Sequence, residues 1–214
     1  VTGDVVTSYV HGGGRIGAIV AGSGEATDAV REALTNVAMQ IAAMNPQYIS
    51  RNDIAQEEIA KMREIIVDSS LNDPASLPKP ILNALIEKAC AGVWSDEDIA
   101  IYEEKKSNMN YLFNFLSKEA AAALASLAME DKANIMENKI FNGAIEGRVS
   151  KQLKDICLLD QTYVKAEDGK QTVAAYLKSV NGALVIKNVV RFEVGEGMEK
   201  KNEDFAAEVA AQLA

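Results

Sequence analysis

Residues able to do chemistry are few in this chain, and they are scattered. There is one histidine, His11, and there are two cysteines, Cys90 and Cys157. A single histidine excludes every protease motif or metal site that needs two. Neither cysteine has a Cys or His close by in sequence, which excludes a zinc knuckle. His11 could act as a general base, but no nucleophile is tied to it by spacing. Paired acids stand at Glu57-Glu58, Asp96-Glu97-Asp98 and Glu103-Glu104, where they could exchange protons or hold a metal. They fall at helix starts and along solvated helical faces, with Lys105-Lys106 directly after the last pair. That is the pattern of helix-dipole and surface charge pairing. Gly12-Gly13-Gly14-Arg15-Ile16-Gly17 fits G-x-G-x-x-G. A pyrophosphate there needs a helix directly after the glycines, so that helix N–H groups face the phosphates. Ile16-Gly17-Ala18-Ile19-Val20 reads as a strand instead, so the glycines are expected to turn a hairpin. No catalytic residue, metal site or cofactor is expected.

Composition narrows the field further. The 214 residues carry a net charge of −9, which argues against a phosphate-tracking surface and hence against direct nucleic-acid binding. No apolar run approaches the ~18 residues that a membrane span requires. Two lone cysteines without a secretory signal read as reduced thiols, and the expected location is the cytoplasm. Apolar residues at 48% and charged residues at 25% suit one large folded domain or two small ones.

Stepping along the chain gives the elements that position these residues. Val5-Val6-Thr7-Ser8-Tyr9-Val10 and Arg15-Ile16-Gly17-Ala18-Ile19-Val20 form the two arms of a hairpin over residues 4–20. Val30, Leu34, Val37, Ile41 and Met44 recur at helical steps, predicting a helix over 27–44 that stops at Asn45-Pro46. A second helix is expected over 53–67, with Asp53 and Gln56 as a capping box. Three of the four prolines then fall within residues 72–80, marking a connection. Helices follow over 81–90, from Ser95 onward, and over 118–142, where Ala120–Ala123 favours helix. Tyr111, Phe113 and Phe115 are expected to pack between helices, and Trp94 to staple the chain before the Ser95 cap.

Beyond residue 155 the character changes. Thr172–Val180 reads as a short capped helix and Asn181-Gly182 as a turn. In the last strand Leu184, Ile186, Val190, Phe192 and Val194 share even positions, while Lys187, Arg191 and Glu193 are odd. Strict alternation puts the even set, Phe192 included, on the covered face. Phe205, Val209 and Leu213 predict a terminal helix. The fold class is therefore α+β, in the order strand, strand, many helices, strand, helix.

Five stretches, in order, resemble the elongation factor Ts family. They are Tyr9–Val20 (YVHGGGRIGAIV), Met39–Ile49 (MQIAAMNPQYI), Glu146-Gly147-Arg148 with Asp155–Gln161 (DICLLDQ), Arg191–Lys201 (RFEVGEGMEKK) and Glu203–Ala210 (EDFAAEVA). The resemblance implies the family's dimerisation-domain fold, β-β-α(n)-β with a three-stranded antiparallel sheet. It implies a sheet subdomain made of residues 1–50 and 155–214, interrupted by a helical, coiled-coil-like insertion at 51–154. It also implies a function: binding elongation factor Tu and promoting guanine-nucleotide exchange in translation, without covalent chemistry. The family's N-terminal helical module and its Thr-Asp-Phe-Val exchange motif do not occur in this sequence. The chain is accordingly expected to be the C-terminal half of such a factor. Residues 67–136 match nothing in the family's usual, shorter helical hairpin.

Partner contacts carry over where the match is local. The histidine of the His-Gly-x-x-Arg stretch is His11, and the residues after Cys-Leu-Leu-Asp-Gln are Tyr163, Val164 and Lys165. The family commonly has Gln-Pro-Phe-Val where this chain has Gln161-Thr162-Tyr163-Val164. A second role, from a different class, is self-association of two copies through the helical insertion, giving a homodimer.

Overall fold

A computed structural model describes residues 1–197. The chain divides into two compact units. One combines Val1–Ile49 with the segment from Leu158, and the other is Ser50–Cys157. The terminal helix expected around Phe205, Val209 and Leu213 lies outside the described residues.

The first unit is a three-stranded antiparallel sheet covered on one face. Its strands are β1 (Val5–His11), β2 (Ile16–Ser23) and β3 (Val185–Glu193), in the spatial order β1-β2-β3. The α+β class and the three-stranded antiparallel sheet expected from the sequence are what the structure contains. The β1–β2 connection is a single tight turn, Gly12–Gly14, with all three glycines at positive φ (62°, 66° and 91°). Side chains with a Cβ rarely adopt that conformation, which explains three glycines in a row. Strand β2 follows at once, so no helix N-terminus faces the glycines.

Helix α1 (Asp28–Met44) starts at the Thr27 cap, whose hydroxyl accepts from the Val30 N–H at 3.2 Å. It ends at Asn45 in the left-handed conformation, φ 46°, directly before Pro46. Its apolar face, led by Val30, Leu34, Val37 and Ile41, meets Val5, Ala18 and Val20 of the sheet in one buried core. Approach is close. A Cβ added to Gly22 would lie 3.1 Å from a Leu34 methyl. A short helix, α2 (Val173–Val180), is capped by Thr172 as expected and adds Val173 and Leu177 to that core.

Strand β3 departs from the expected alternation. Ile186 pairs with Gly22 and Asn188 with Ala21, so Lys187 is an extra residue opposite the bond between them. This bulge reverses which parity faces the core. Leu184 and Ile186 are buried before it. After it, Val189 and Arg191 take the covered side, opposite Val20 and Ala18. The Arg191 side chain is only 14% exposed and pairs with Glu193 at 2.8 Å. Phe192 is 56% exposed and shares the open face with Val10, its neighbour across Gly17. The expectation that Phe192 is a core residue is thus corrected, and the bulge is the reason.

The second unit is all helical among its described residues. It holds α3 (Gln56–Leu71), α4 (Lys79–Cys90), α5 (Asp96–Lys105), α6 (Met109–Leu112), α7 (Lys118–Glu130), α8 (Lys132–Glu137) and α9 (Lys139–Ile156). Its own core contains Leu71, Leu85, Ile86, Leu112, Leu124 and Phe141. Helices α3 and α9 are tied by the Arg63–Glu146 ion pair and by Arg148 donating to Ser70 Oγ at 2.7 Å. The box expected at Asp53 and Gln56 is displaced. Asp53 accepts from the Ser50 N–H at 2.7 Å and closes a separate turn, while Glu58 reaches back to the Ala55 N–H. The single helix expected over 118–142 is broken at Asp131 and again at Asn138, whose extended backbone (ψ 122°) starts α9. Asp98, expected with Ser95 at a solvated helix start, does stand in the first turn after the Ser95 cap but is only 7% exposed. It accepts from Ser95 Oγ, Ser117 Oγ and the Ser117 N–H, joining the first turns of α5 and α7. Trp94 is buried, with its indole N–H donating to Ala120 O at 3.0 Å. Tyr111 and Phe115, expected to pack between helices, are more than half exposed, because their short segment buries Leu112 instead.

Candidate partner-binding surface

His11 closes β1 at the rim of the glycine turn and is exposed. Its Nδ1 lies 3.1 Å from the Tyr9 hydroxyl, and the two rings are 5.9 Å apart. When that hydroxyl donates, the imidazole carries its proton on Nε2, which faces away from the contact.

The other three sequence-derived positions form a loop, and the structure gives them different parts. Tyr163 is buried at 5% exposure. Its ring stacks on Tyr176 at 4.1 Å with 10° between planes. Burial, and then the hydroxyl contact with Tyr176, pushes the Tyr163 phenol well above its ordinary range. It is therefore a neutral pillar under the loop, not a projecting contact. Val164 is 45% exposed and is the apolar residue that the loop holds outward. Lys165 is exposed along its stem, while its ammonium donates to Asn36 Oδ1 at 2.8 Å.

Backbone bonds close the loop at both ends. Val173 N–H donates to Gln161 O at 3.0 Å and Tyr163 N–H to Gln171 O at 2.8 Å. Between them, Asp168 accepts from the Lys170 and Gln171 N–H groups at 2.8 and 2.9 Å, an Asx turn that lowers its carboxyl pKa. Beside the loop lies an open cleft of about 630 Å³, lined by Tyr163, Lys165, Glu167, Asp168, Gln171, Ala175 and Tyr176.

Sequence reasoning missed the groups that hold the loop down. Gln40, in the fourth turn of α1, is fully buried. Its amide nitrogen donates to Gln161 Oε1 (3.2 Å) and Thr162 O (3.1 Å), and its oxygen accepts from the Val164 N–H (2.8 Å). One turn earlier, Asn36 donates to the Tyr176 hydroxyl at 2.8 Å and accepts from Lys165. The signal was present: Gln40 is the one polar residue in Val37–Met44. A polar group inside an apolar stretch is buried at a cost unless bonded.

Among the described residues, no group of three His, Cys, Asp or Glu side chains could hold a metal ion. Nor is any helix there long and apolar enough to cross a membrane. Cys157 is buried and Cys90 half-buried. Burial, with Glu103 nearby, raises the Cys90 thiol pKa, which favours the protonated thiol. What the described residues of the first unit offer is a shaped surface at the hairpin end and the 161–165 loop. A model of the family described as Elongation factor TS matches residues 1–196. The chain belongs to the elongation factor Ts family. It is 36% identical over 216 residues to an elongation factor Ts of Clostridioides difficile strain 630, covering all of this chain and 51% of that protein. It is 32% identical over 219 residues to that of Carboxydothermus hydrogenoformans, covering 99% and 73%. It is 33% identical over 211 residues to that of Limosilactobacillus reuteri, covering 99% and 49%. The chain thus spans about half the length of the first and third of these elongation factor Ts relatives. Its family is one of translation elongation factors, and His11 and Tyr163–Lys165 all lie within the matched residues.

Proposed function

We propose that this chain binds elongation factor Tu through its sheet-bearing unit and that the whole protein promotes GDP release from that partner. It does so in the cytoplasm, as a binding protein rather than an enzyme. The contact surface is the hairpin end at His11 together with the loop crest at Val164 and Lys165, with Tyr163 supporting the crest from beneath. The observation that carries this reading is the family match over residues 1–196, within which the 161–165 loop is held in one shape by buried hydrogen bonds. A pre-shaped crest lowers the ordering cost of association. Calorimetry of the chain with GDP-bound and nucleotide-free elongation factor Tu tests it. His11→Ala and Val164→Asp should both weaken binding while circular dichroism is unchanged. Val164→Asp should be the worse, by roughly 2 kcal/mol or more, because it places an unpaired charge in an interface core. Unchanged affinity for both variants would overturn the surface assignment.

Self-association through the helical unit is the second reading. Tyr111 at 58% and Phe115 at 52% exposure favour it, since large apolar side chains exposed together mark contact surfaces. Sedimentation over a concentration series would detect the dimer, and Tyr111→Ser with Phe115→Ser should abolish it. A monomer at all concentrations would end this reading.

A further inference from the structure

Asn36 and Gln40 lie beneath the proposed contact surface rather than on it, and among the described residues they are two of the few buried polar groups of the sheet-bearing unit. They stand at i and i+4 on α1, so they project side by side toward the same loop. Together they make five hydrogen bonds, all to residues of the loop or to Tyr176 beneath it. The orientation of Gln40 is fixed by its partners. Turning the amide over would set its NH₂ against the Val164 N–H and its oxygen against two acceptors.

We infer that Asn36 and Gln40 are positioning residues, an amide clamp on α1 that holds loop 161–165 in its partner-binding shape. The inference rests on the partner reading given above. Gln40 fixes the backbone on both sides of Tyr163, and so sets the height and direction of Val164. Asn36 accepts from the Lys165 ammonium and so ties that side chain back, and its bond to Tyr176 steadies the ring on which Tyr163 stacks. A loop that is right only part of the time loses affinity in proportion to that fraction. Releasing the clamp should therefore weaken binding without removing any atom that touches the partner.

The test is a double-mutant cycle on the 214-residue chain with elongation factor Tu, using Gln40→Leu, Val164→Ala and the pair. Gln40→Leu keeps much of the side-chain volume and removes the three bonds. It should weaken binding about tenfold, chiefly by slowing association, and have little further effect once Val164 is alanine. Asn36→Leu should behave likewise, whereas Asn36→Asp keeps the acceptor for Lys165 and lets the Tyr176 hydroxyl donate where it now accepts, and should restore affinity to within about threefold. Hydrogen exchange gives a readout in the free chain: the Val164 amide should exchange at least ~10-fold faster in Gln40→Leu, while α1 amides stay protected. If Val164→Ala itself leaves affinity unchanged, the surface assignment has failed and the inference falls with it. If Val164→Ala weakens binding but folded Gln40→Leu does not, or if the two effects simply add, the inference alone is overturned. Should Gln40→Leu fail to fold, an Asn36→Leu chain that folds and binds normally overturns it equally.

Discussion

Replacing Ile186 and Phe192 by alanine, one at a time, puts the bulge at Lys187 to a quantitative test. The two side chains sit six residues apart on one strand, and unbroken alternation would bury both. Ile186 is 7% exposed beside Leu184 and Gly22, so Ile186→Ala removes well-buried apolar surface and leaves a void against the core. Such truncations cost about 2–5 kcal/mol, and about 3 is expected here. Phe192 is 56% exposed, and a fully buried phenylalanine covers roughly 150–250 Å². Under half of that, about 90 Å², is covered in this chain. Allowing for what alanine still covers, about 60 Å² is lost. At about 25 cal/mol per Å² that is ~1.5 kcal/mol, with no cavity term because the site opens to water. Ile186→Ala should therefore be the more damaging by ~1–2 kcal/mol. The assay must report on the correct unit. The single tryptophan, Trp94, belongs to the helical unit, so its fluorescence follows the wrong transition. Hydrogen exchange read on peptides from 28–44 follows α1, which covers the sheet. A loss of ~3 kcal/mol or more for Phe192→Ala with under ~1 for Ile186→Ala would refute the bulge and restore unbroken alternation.

Other outcomes follow from the same geometry. Asp98→Ala should destabilise the helical unit by ~2–3 kcal/mol, because it removes bonds to a buried carboxylate at two helix starts; Trp94 fluorescence in urea reads this directly. The Ser117 N–H, and then the serine hydroxyls, hold the Asp98 pKa below its ordinary value. Its contribution is thus present above about pH 4 and lost as pH falls through the lowered pKa, so Asp98→Asn should flatten the acid limb of that unit's stability curve. Gly22→Ala should cost ~1–3 kcal/mol in the sheet unit, since the new methyl meets Leu34 and Leu184 at 3.1–3.3 Å; exchange on 28–44 measures it. Excising residues 72–130 and bridging the gap should leave affinity for elongation factor Tu within a few-fold, as calorimetry would show. The Asp68–Lys132 pair at 2.7 Å indicates that the cut ends lie close enough to bridge.

Local rules made the sheet unit legible. β-Branched runs around three glycines gave the hairpin, and a 3-4 apolar rhythm with Thr27 and Asn45-Pro46 at its ends gave α1. The bulge was not legible, because one extra residue changes parity without changing composition. Lys187 looks the same in a regular strand and in a bulged one, and only pairing with Ala21 and Gly22 tells them apart. Asp98 misled for a related reason. An acid in the first turn of a helix is ordinary at a solvated start, and its burial depends on Ser117, nineteen residues away. The candidate surface was half visible. Sequence resemblance located the loop, but the division of labour inside it, with Tyr163 inward, Val164 outward and Lys165 tied back, is set by Tyr176, Asn36 and Gln40 across more than a hundred residues in two of the three cases.

The place where the helical unit leaves and rejoins the sheet unit bears on how the chain is made. Leu158 N–H donates to Tyr48 O at 2.9 Å and Leu159 N–H to Ile49 O at 3.0 Å, so exit and return are neighbours. During synthesis β2 emerges before its partner β3, which arrives roughly 160 residues later, about ten to thirty seconds at ribosomal speed. For that interval one edge of β2 is open to wrong pairing. The helical unit is complete first, and its contacts are mostly local. Once folded, with its ends pinned together, it shortens the loop that β3 must close from about 160 residues to about 50. On the usual logarithmic scaling that lowers the closure cost by about 1 kcal/mol. Inserted at this point, a large helical block need not hinder sheet formation, and it can work as a splint that brings the late strand home.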